Sequence, residues 1–258
     1  GMGLIEAIPV EVILAAADPE DRDGDGISGR AHWVSAPAFV PVTEVGGGGG
    51  QQLGRFGRKA AVASLLHQVA DAYLQDMGIT TDFFPQEVAL HHLDEVADPE
   101  LPASEVVVAT AYVRFLSPPR RGEESAEGAQ GRGLFSRLGC EGCHTPTMVT
   151  GQHQSPALSG VEVHLYSDLL LHDLGPGLSD GRADQDAQPQ EWRTAPLWGL
   201  RLVDAPLPSP ARYLHDGRAA SLHEAIVLHG GEAQRARDAY VALSAADQAA
   251  LIAFLKTL

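Results

Sequence analysis

Both cysteines of this 258-residue chain fall inside one five-residue stretch, Cys140-Glu141-Gly142-Cys143-His144. No disulfide framework can therefore hold the fold together, and an apolar core or a bound group must do so. The spacing C-x-x-C-H is the attachment signature of c-type haem. It has a chemical reason. Two thiols add across the two vinyl groups of the porphyrin, and the adjoining histidine is then held beneath the iron as an axial ligand. Cys140, Cys143 and His144 are thus the first candidate cofactor-binding residues, with His144 as an iron ligand.

Three blander readings compete: a surface C-x-x-C beside a coincidental histidine, a thioredoxin-like dithiol, and half of a zinc site. The dithiol belongs in a βαβ setting, and the pattern offers none. A four-thiolate zinc site needs a second cysteine pair, which the chain lacks. With every cysteine of the chain in one motif, covalent haem is the favoured reading.

Composition limits the function classes. With 44% hydrophobic residues the chain can bury a core and is not disordered. Lys and Arg number 18 against 34 Asp and Glu, a net charge of −16. That balance excludes a nucleic-acid footprint, which needs a basic surface. It suits either a basic redox partner protein or a merely soluble surface. The longest mostly apolar stretch, residues 105–116, is well short of the ~20 residues of a membrane span. Gly1-Met2-Gly3 opens the chain without the basic region and long apolar run of a signal peptide.

Along the chain, Phe56, Ala60, Ala63, Leu66, Ala70, Tyr73 and Met77 recur at three- and four-residue steps. They predict one long amphipathic helix from Leu53 to Gly78. Ser104 is placed to cap a second helix, which stops before Pro118-Pro119. Residues 118–133 read as a domain boundary, dividing the chain into 1–120 and 121–258. A third helix is expected from about Gly131 to Gly139, with Leu134, Phe135 and Leu138 on its apolar side. Residues 145–210, rich in proline, read as an ordered but irregular wrap, and the glycine run 46–50 as a flexible break. Ser221 with Glu224 forms a capping box, Gly230-Gly231 ends that helix, and Ser244 caps the last one, with Leu251, Leu255 and Leu258 in a stripe. No two-residue alternation is long enough for a sheet, so the expected fold is mainly α.

Several segments resemble known proteins. Glu191-Trp192-Arg193-Thr194-Ala195-Pro196-Leu197-Trp198, Tyr213-Leu214-His215-Asp216-Gly217-Arg218 and the stretch from Leu243 to Leu255 are similar to the C-terminal haem domain of bacterial dihaem cytochrome c peroxidases. Leu169-Leu170-Leu171-His172-Asp173-Leu174-Gly175 and Leu228-His229-Gly230-Gly231-Glu232-Ala233 resemble the dihaem (thiol) oxidoreductase family, a branch of that superfamily. So do Asp23-Gly24-Asp25-Gly26-Ile27-Ser28-Gly29-Arg30 and Gly54-Arg55-Phe56-Gly57. The resemblance implies a cytochrome c-like C-terminal domain with long irregular loops, and a partial helical region before it. It also implies covalent haem c, a periplasmic or exported protein, a redox partner protein, and a small oxidant such as peroxide. The family carries two C-x-x-C-H motifs and this chain has one. Either the chain is a fragment or it is a one-haem protein, and the Gly-Met start favours the fragment. Without a first haem, the resemblance implies that this haem handles electron transfer and that the chain alone is not an active peroxidase.

The second axial ligand has five candidates: Met77, Met148, His172, His215 and His229. Met148 lies only four residues past His144 and would have to double back round the porphyrin. Met77 sits on a core-like stripe, where packing is the ordinary role. His229 shares a helical face with Leu222, Ala225 and Ile226, and the resemblance places the peroxidases' distal methionine at this position. His229 is the expected distal ligand. His215 reads as a turn histidine bonding backbone or a haem propionate, and His172 as a similar residue or one lining the haem edge. Arg193 suits a propionate, its planar fork matching a carboxylate, or is a solvated loop cation.

Asp21-x-Asp23-x-Asp25-Gly26 matches the first half of a calcium loop, but its twelfth position is His32 instead of a bidentate glutamate, which excludes an EF-hand. Calcium held by another set, or a solvated turn, remains. His91-His92 with Asp94 and Glu95 reads as a polar loop, with metal binding the weaker choice. The competing functional classes are a non-catalytic electron carrier and a haem-free metal-binding or interaction module.

Overall fold

Four serines set helix starts. Ser64, Ser125, Ser221 and Ser244 each accept a hydrogen bond from the N–H three residues ahead, which satisfies a donor the first turn leaves free. At Ser221 the reciprocal arm reaches one residue further back: Glu224 accepts from the Ala220 N–H at 2.8 Å. The computed structural model describes residues 1–41, 50–87, 96–203 and 210–258. Most of the glycine run and the His91, His92, Asp94, Glu95 cluster lie outside them.

In chain order the elements are α1 (Met2–Glu6), α2 (Val10–Leu14), β1 (Trp33–Val34), β2 (Gln52–Leu53), α3 (Leu65–Gln75), α4 (Ala103–Phe115) and α5 (Ala126–Arg137). Then follow β3 (Met148–Val149), β4 (Glu162–Val163), β5 (Leu171–Asp173), β6 (Glu191–Arg193), α6 (Leu222–Leu228), α7 (Gln234–Val241) and α8 (Ala245–Leu255). The strands pair antiparallel as β1–β2, β3–β4 and β5–β6, the last with His172 opposite Trp192 and Leu171 opposite Arg193.

The expected mainly α, cytochrome c-like fold is corrected. Helix accounts for 36% and strand for 10%, the strand in small two-stranded sheets, so the architecture is mixed. The strands are two or three residues long, too short for alternation to register in a sequence. The long helix expected from Leu53 is also shortened. Gly57 (φ 80°) and Ala60 (φ 53°) turn the chain back, and Phe56 bridges to Val62. Only Leu65–Gln75 is helical. Phe56 and Ala60 are buried by this turn instead of by a helical stripe, and Met77 stands 54% exposed.

α5 begins earlier than expected because its glycines weaken the pattern. Gly131 has a packing reason: a Cβ there would strike the Ala250 carbonyl of α8. The close crossing of α5 and α8 builds one core, from Leu134, Phe135, Tyr166, Tyr240, Leu251 and Phe254. A second core joins Ile5, Ile8, Ile13, Phe56 and Leu65 to Met148, Leu165 and Leu170. Met148 is thus a packing residue. Neighbours Leu165 and Tyr166 belong to different cores.

Candidate functional site

The last turn of α5 ends at Gly139, whose left-handed backbone (φ 82°) swings the chain into a single 3-10 turn, Cys140–Gly142. His144 closes that turn, its N–H donating to the Cys140 carbonyl at 2.9 Å. Beside it opens a cavity of about 690 Å³, within the ~300–1,000 Å³ usual for ligand and cofactor sites. Phe135, Leu251 and Leu255 line one side, and Leu222, Ala225 and Ile226 of α6 another. Cys140, Cys143, His144, Arg193, His215 and His229 all line it.

The two histidines expected at the iron are held alike. His144 Nδ1 lies 3.0 Å from the Tyr166 carbonyl, and His229 Nδ1 lies 2.7 Å from the Ala225 carbonyl one turn back on α6. A carbonyl only accepts, so in each ring Nδ1 carries the proton and Nε2 keeps the lone pair. Burial drops the His144 pKa to about 4, with the Tyr166 carbonyl opposing and His229 adding to the fall. Burial also lowers His229. Both are neutral imidazoles, the form a metal binds.

The thiols are equally uncharged. Burial pushes Cys140 up to about 12 and raises Cys143, where His172 partly opposes the rise. Neither has the depressed pKa of a reactive dithiol.

Arg193 on β6 donates to the Gly57 carbonyl at 2.9 Å and the Thr194 carbonyl at 3.2 Å. Among the described residues no carboxylate pairs with it, and burial lowers it to about 10, opposed by Asp168. His215 stacks on Trp192 with ring centroids 4.7 Å apart and planes within 6°. Burial, then the charges of Arg193 and Arg58, drop His215 to about 3. Lys59 Nζ lies 4.1 Å from the centroid of the same Trp192 ring.

His172 makes a network that sequence reasoning missed. Its Nε2 is 2.7 Å from Asp168 and its Nδ1 is 2.7 Å from Glu232, with Cys143 Sγ at 3.5 Å from Nδ1. Carboxylates only accept, so both ring nitrogens donate and the ring is an imidazolium. Burial pulls its pKa down, but hydrogen bonds to Asp168, Cys143 and Glu232 outweigh that and raise it. Glu232 further accepts from Ser28 Oγ at 2.7 Å. Gly231 (φ 53°) sits where a Cβ would strike the Asp173 carbonyl, so the Gly-Gly-Glu segment must press on β5.

In the acidic loop, the carboxylates of Asp18, Asp21 and Asp23 lie within 4.8 Å of one another. Asp25, expected among them, instead accepts from the Ile27 N–H at 2.8 Å. Asp18 takes its place, accepting from the Arg22 N–H at 2.7 Å.

Compared with protein families, the chain matches the model described as "Di-haem oxidoreductase, putative peroxidase" over residues 1–258. The chain belongs to the di-haem oxidoreductase family. Neither the curated proteins nor the solved structures give a match. Membership implies a haem cofactor and a peroxidase-like oxidoreductase class. This di-haem oxidoreductase family member supplies one C-x-x-C-H motif from its own sequence. Among its described residues, no helix is long and apolar enough to cross a membrane.

Proposed function

We propose that Cys140 and Cys143 would hold one haem covalently, with the imidazoles of His144 and His229 offered to its iron, and that this site carries electrons for a peroxidase-like oxidoreductase. One observation supports this most. Two neutral imidazoles, each oriented by a carbonyl on Nδ1, line the same largely apolar cavity as two protonated thiols. That donor set fits haem c and fits neither a thiolate zinc site nor a thioredoxin-like dithiol.

When bound, the haem supplies one-electron Fe(III)/Fe(II) exchange. The chain's own groups do the rest. The Tyr166 and Ala225 carbonyls fix ring orientation and raise ligand basicity. Phe135, Leu222, Leu251 and Leu255 exclude water. Arg193, without a carboxylate partner among the described residues, offers its guanidinium to a propionate. With both imidazoles engaged, the site would suit electron exchange and not O–O cleavage. Covalent attachment makes this a periplasmic or exported protein.

Intact mass of the chain, made in the periplasm with haem-maturation proteins, tests the attachment. One covalent haem adduct, lost when Cys140 and Cys143 are both changed to Ser, is expected. An unmodified mass under those conditions would leave the haem-free module as the better account.

A further inference from the structure

We propose that residues 166–175 are a strut setting the gap between the Cys140–His144 loop and His229, with His172 as the positioning residue that locks it. The functional part of this proposal rests on the haem assignment above. Cys143 and His144 follow α5, and His229 is the C-cap of α6. They stand far apart in the chain, yet all three line the cavity. A metal–ligand distance tolerates only ~0.2 Å, so the width of the cleft between the two imidazoles matters.

One end of the strut is tied to the attachment loop. The Tyr166, Ser167 and Asp168 N–H groups donate to the Pro146, Thr145 and Cys143 carbonyls, and the Tyr166 carbonyl accepts from His144 Nδ1. The other end is pressed on the chain that follows His229. A Cβ on Gly230 would crowd the Leu174 carbonyl, and one on Gly231 would strike the Asp173 carbonyl, so backbone meets backbone there. Glu232 also accepts from the Asp173 N–H at 3.1 Å. The length between the ends is not slack. Leu170 and Leu171 are fully buried, and Leu171 exchanges both backbone hydrogen bonds with Arg30 at 2.8 Å. Tyr166 (φ 54°) and Leu169 (φ 64°) hold left-handed backbone, which a non-glycine residue keeps only where its surroundings enforce it.

His172 joins the two ends through side chains. Its Nδ1 stands 3.5 Å from Cys143 Sγ and 2.7 Å from Glu232, which lies just past His229. Its Nε2 stands 2.7 Å from Asp168, whose own N–H is bonded to the Cys143 carbonyl. Glu232 is fixed from outside as well, by the Ser28 N–H at 3.0 Å and the Ser28 hydroxyl at 2.7 Å. A buried ion pair adds little net stability over apolar packing of the same volume, while opening it from one side is costly. Such a clamp serves to hold one arrangement against its neighbours more than to strengthen the fold. With the clamp open, the end of α6 is no longer tied through side chains to the attachment loop. His229 then loses its fixed distance from His144.

Two measurements on the full chain, made with haem-maturation proteins, test the strut. The variants are His172→Gln and Glu232→Gln. The first strands Asp168 and Glu232, so the second, which keeps the side-chain shape, is the milder. Hydrogen exchange read by mass spectrometry should quicken about tenfold in residues 143–146 and 229–233 together, the worth of one hydrogen bond to a charged group. Residues 65–75 of α3 and 103–115 of α4 should exchange as in wild type. Quickening on one side alone, or equal quickening in α3 and α4, overturns the strut. In chains whose haem adduct is verified by mass, the ferric spectrum of each variant should gain a high-spin share. The ferrous form should bind CO about tenfold more tightly than wild type. Arg114→Gln, which breaks the 2.6 Å pair with Glu6 outside the cavity, should change neither. A wild-type spectrum and CO response in both clamp variants overturns the positioning role. A wild type without an adduct counts against the haem assignment instead, and the exchange result then decides the strut by itself.

Discussion

His172 Nε2 sits 2.7 Å from the carboxylate of Asp168, and both side chains are buried. The second nitrogen of the same ring is committed to Glu232, so one cation spans two anions beside Cys143. Such a group is costly to break from one side, because the partners left behind are charged and cannot reach water.

His172→Ala should therefore destabilise the protein by about 3–5 kcal/mol, the usual result of stranding buried charge. Urea denaturation followed by circular dichroism measures it. A loss below ~1 kcal/mol, the size of a surface pair, would mean that the ring is not the cation inferred.

The same clamp has a pH signature. Burial alone would raise Glu232, but His172 and Ser28 outweigh it and hold its pKa down at about 2 against an ordinary 4.5. Its contribution is present above pH 4.5 and is lost as pH falls toward 2. His172, raised above 6.5, contributes fully below that value and less as pH rises through its folded pKa. The stability gap between wild type and Glu232→Gln should thus shrink on acidification below 4.5. A gap that widens there would reverse the sign.

His229→Ala removes the proposed distal nitrogen. The ferric spectrum should pass from low to high spin, and the ferrous form should bind CO. An unchanged low-spin spectrum would exclude His229 and turn attention to His215, a neutral imidazole on the same cavity, since both ring nitrogens of His172 are committed to carboxylates.

Arg193→Gln takes away a cation proposed to face a propionate. The ferric state is then relatively favoured, and the reduction potential should drop by about 60 mV, a tenfold step in a one-electron equilibrium. Arg193→Lys keeps the charge and should fall less. Spectroelectrochemical titration distinguishes the two.

Gly131→Ala tests the crossing of α5 and α8. The added methyl strikes the Ala250 carbonyl, backbone that cannot swing aside, so a loss of roughly 1–3 kcal/mol is expected. Because α5 leads directly into Cys140, the haem spectrum should broaden as well. A melting temperature equal to wild type would show that the helices can separate freely.

How much of this was legible beforehand depends on how local each feature is. The C-x-x-C-H motif and the serine caps at 221 and 244 needed only near neighbours; His229 follows the last turn of α6 as its C-cap instead of sitting on its face, and it lines the same cavity as Cys140, Cys143 and His144. The helix predicted from Leu53 failed because Phe56 and Ala60 are spaced as a helical stripe would be while lying in a tight turn. Periodicity cannot tell these apart when burial has another cause. The mixed fold was missed because two-residue strands leave no pattern. Glu232 meets His172 across 60 residues and Ser28 across 204, distances at which a single sequence carries no pairing signal.

Leu165 is anchored in one core and Tyr166 in the other, and the Tyr166 carbonyl orients His144. The peptide that aims the His144 imidazole is therefore a shared hinge pin. The two cores cannot turn against each other without twisting that ring, so strain applied far from the cavity reaches the His144 imidazole as a change of angle.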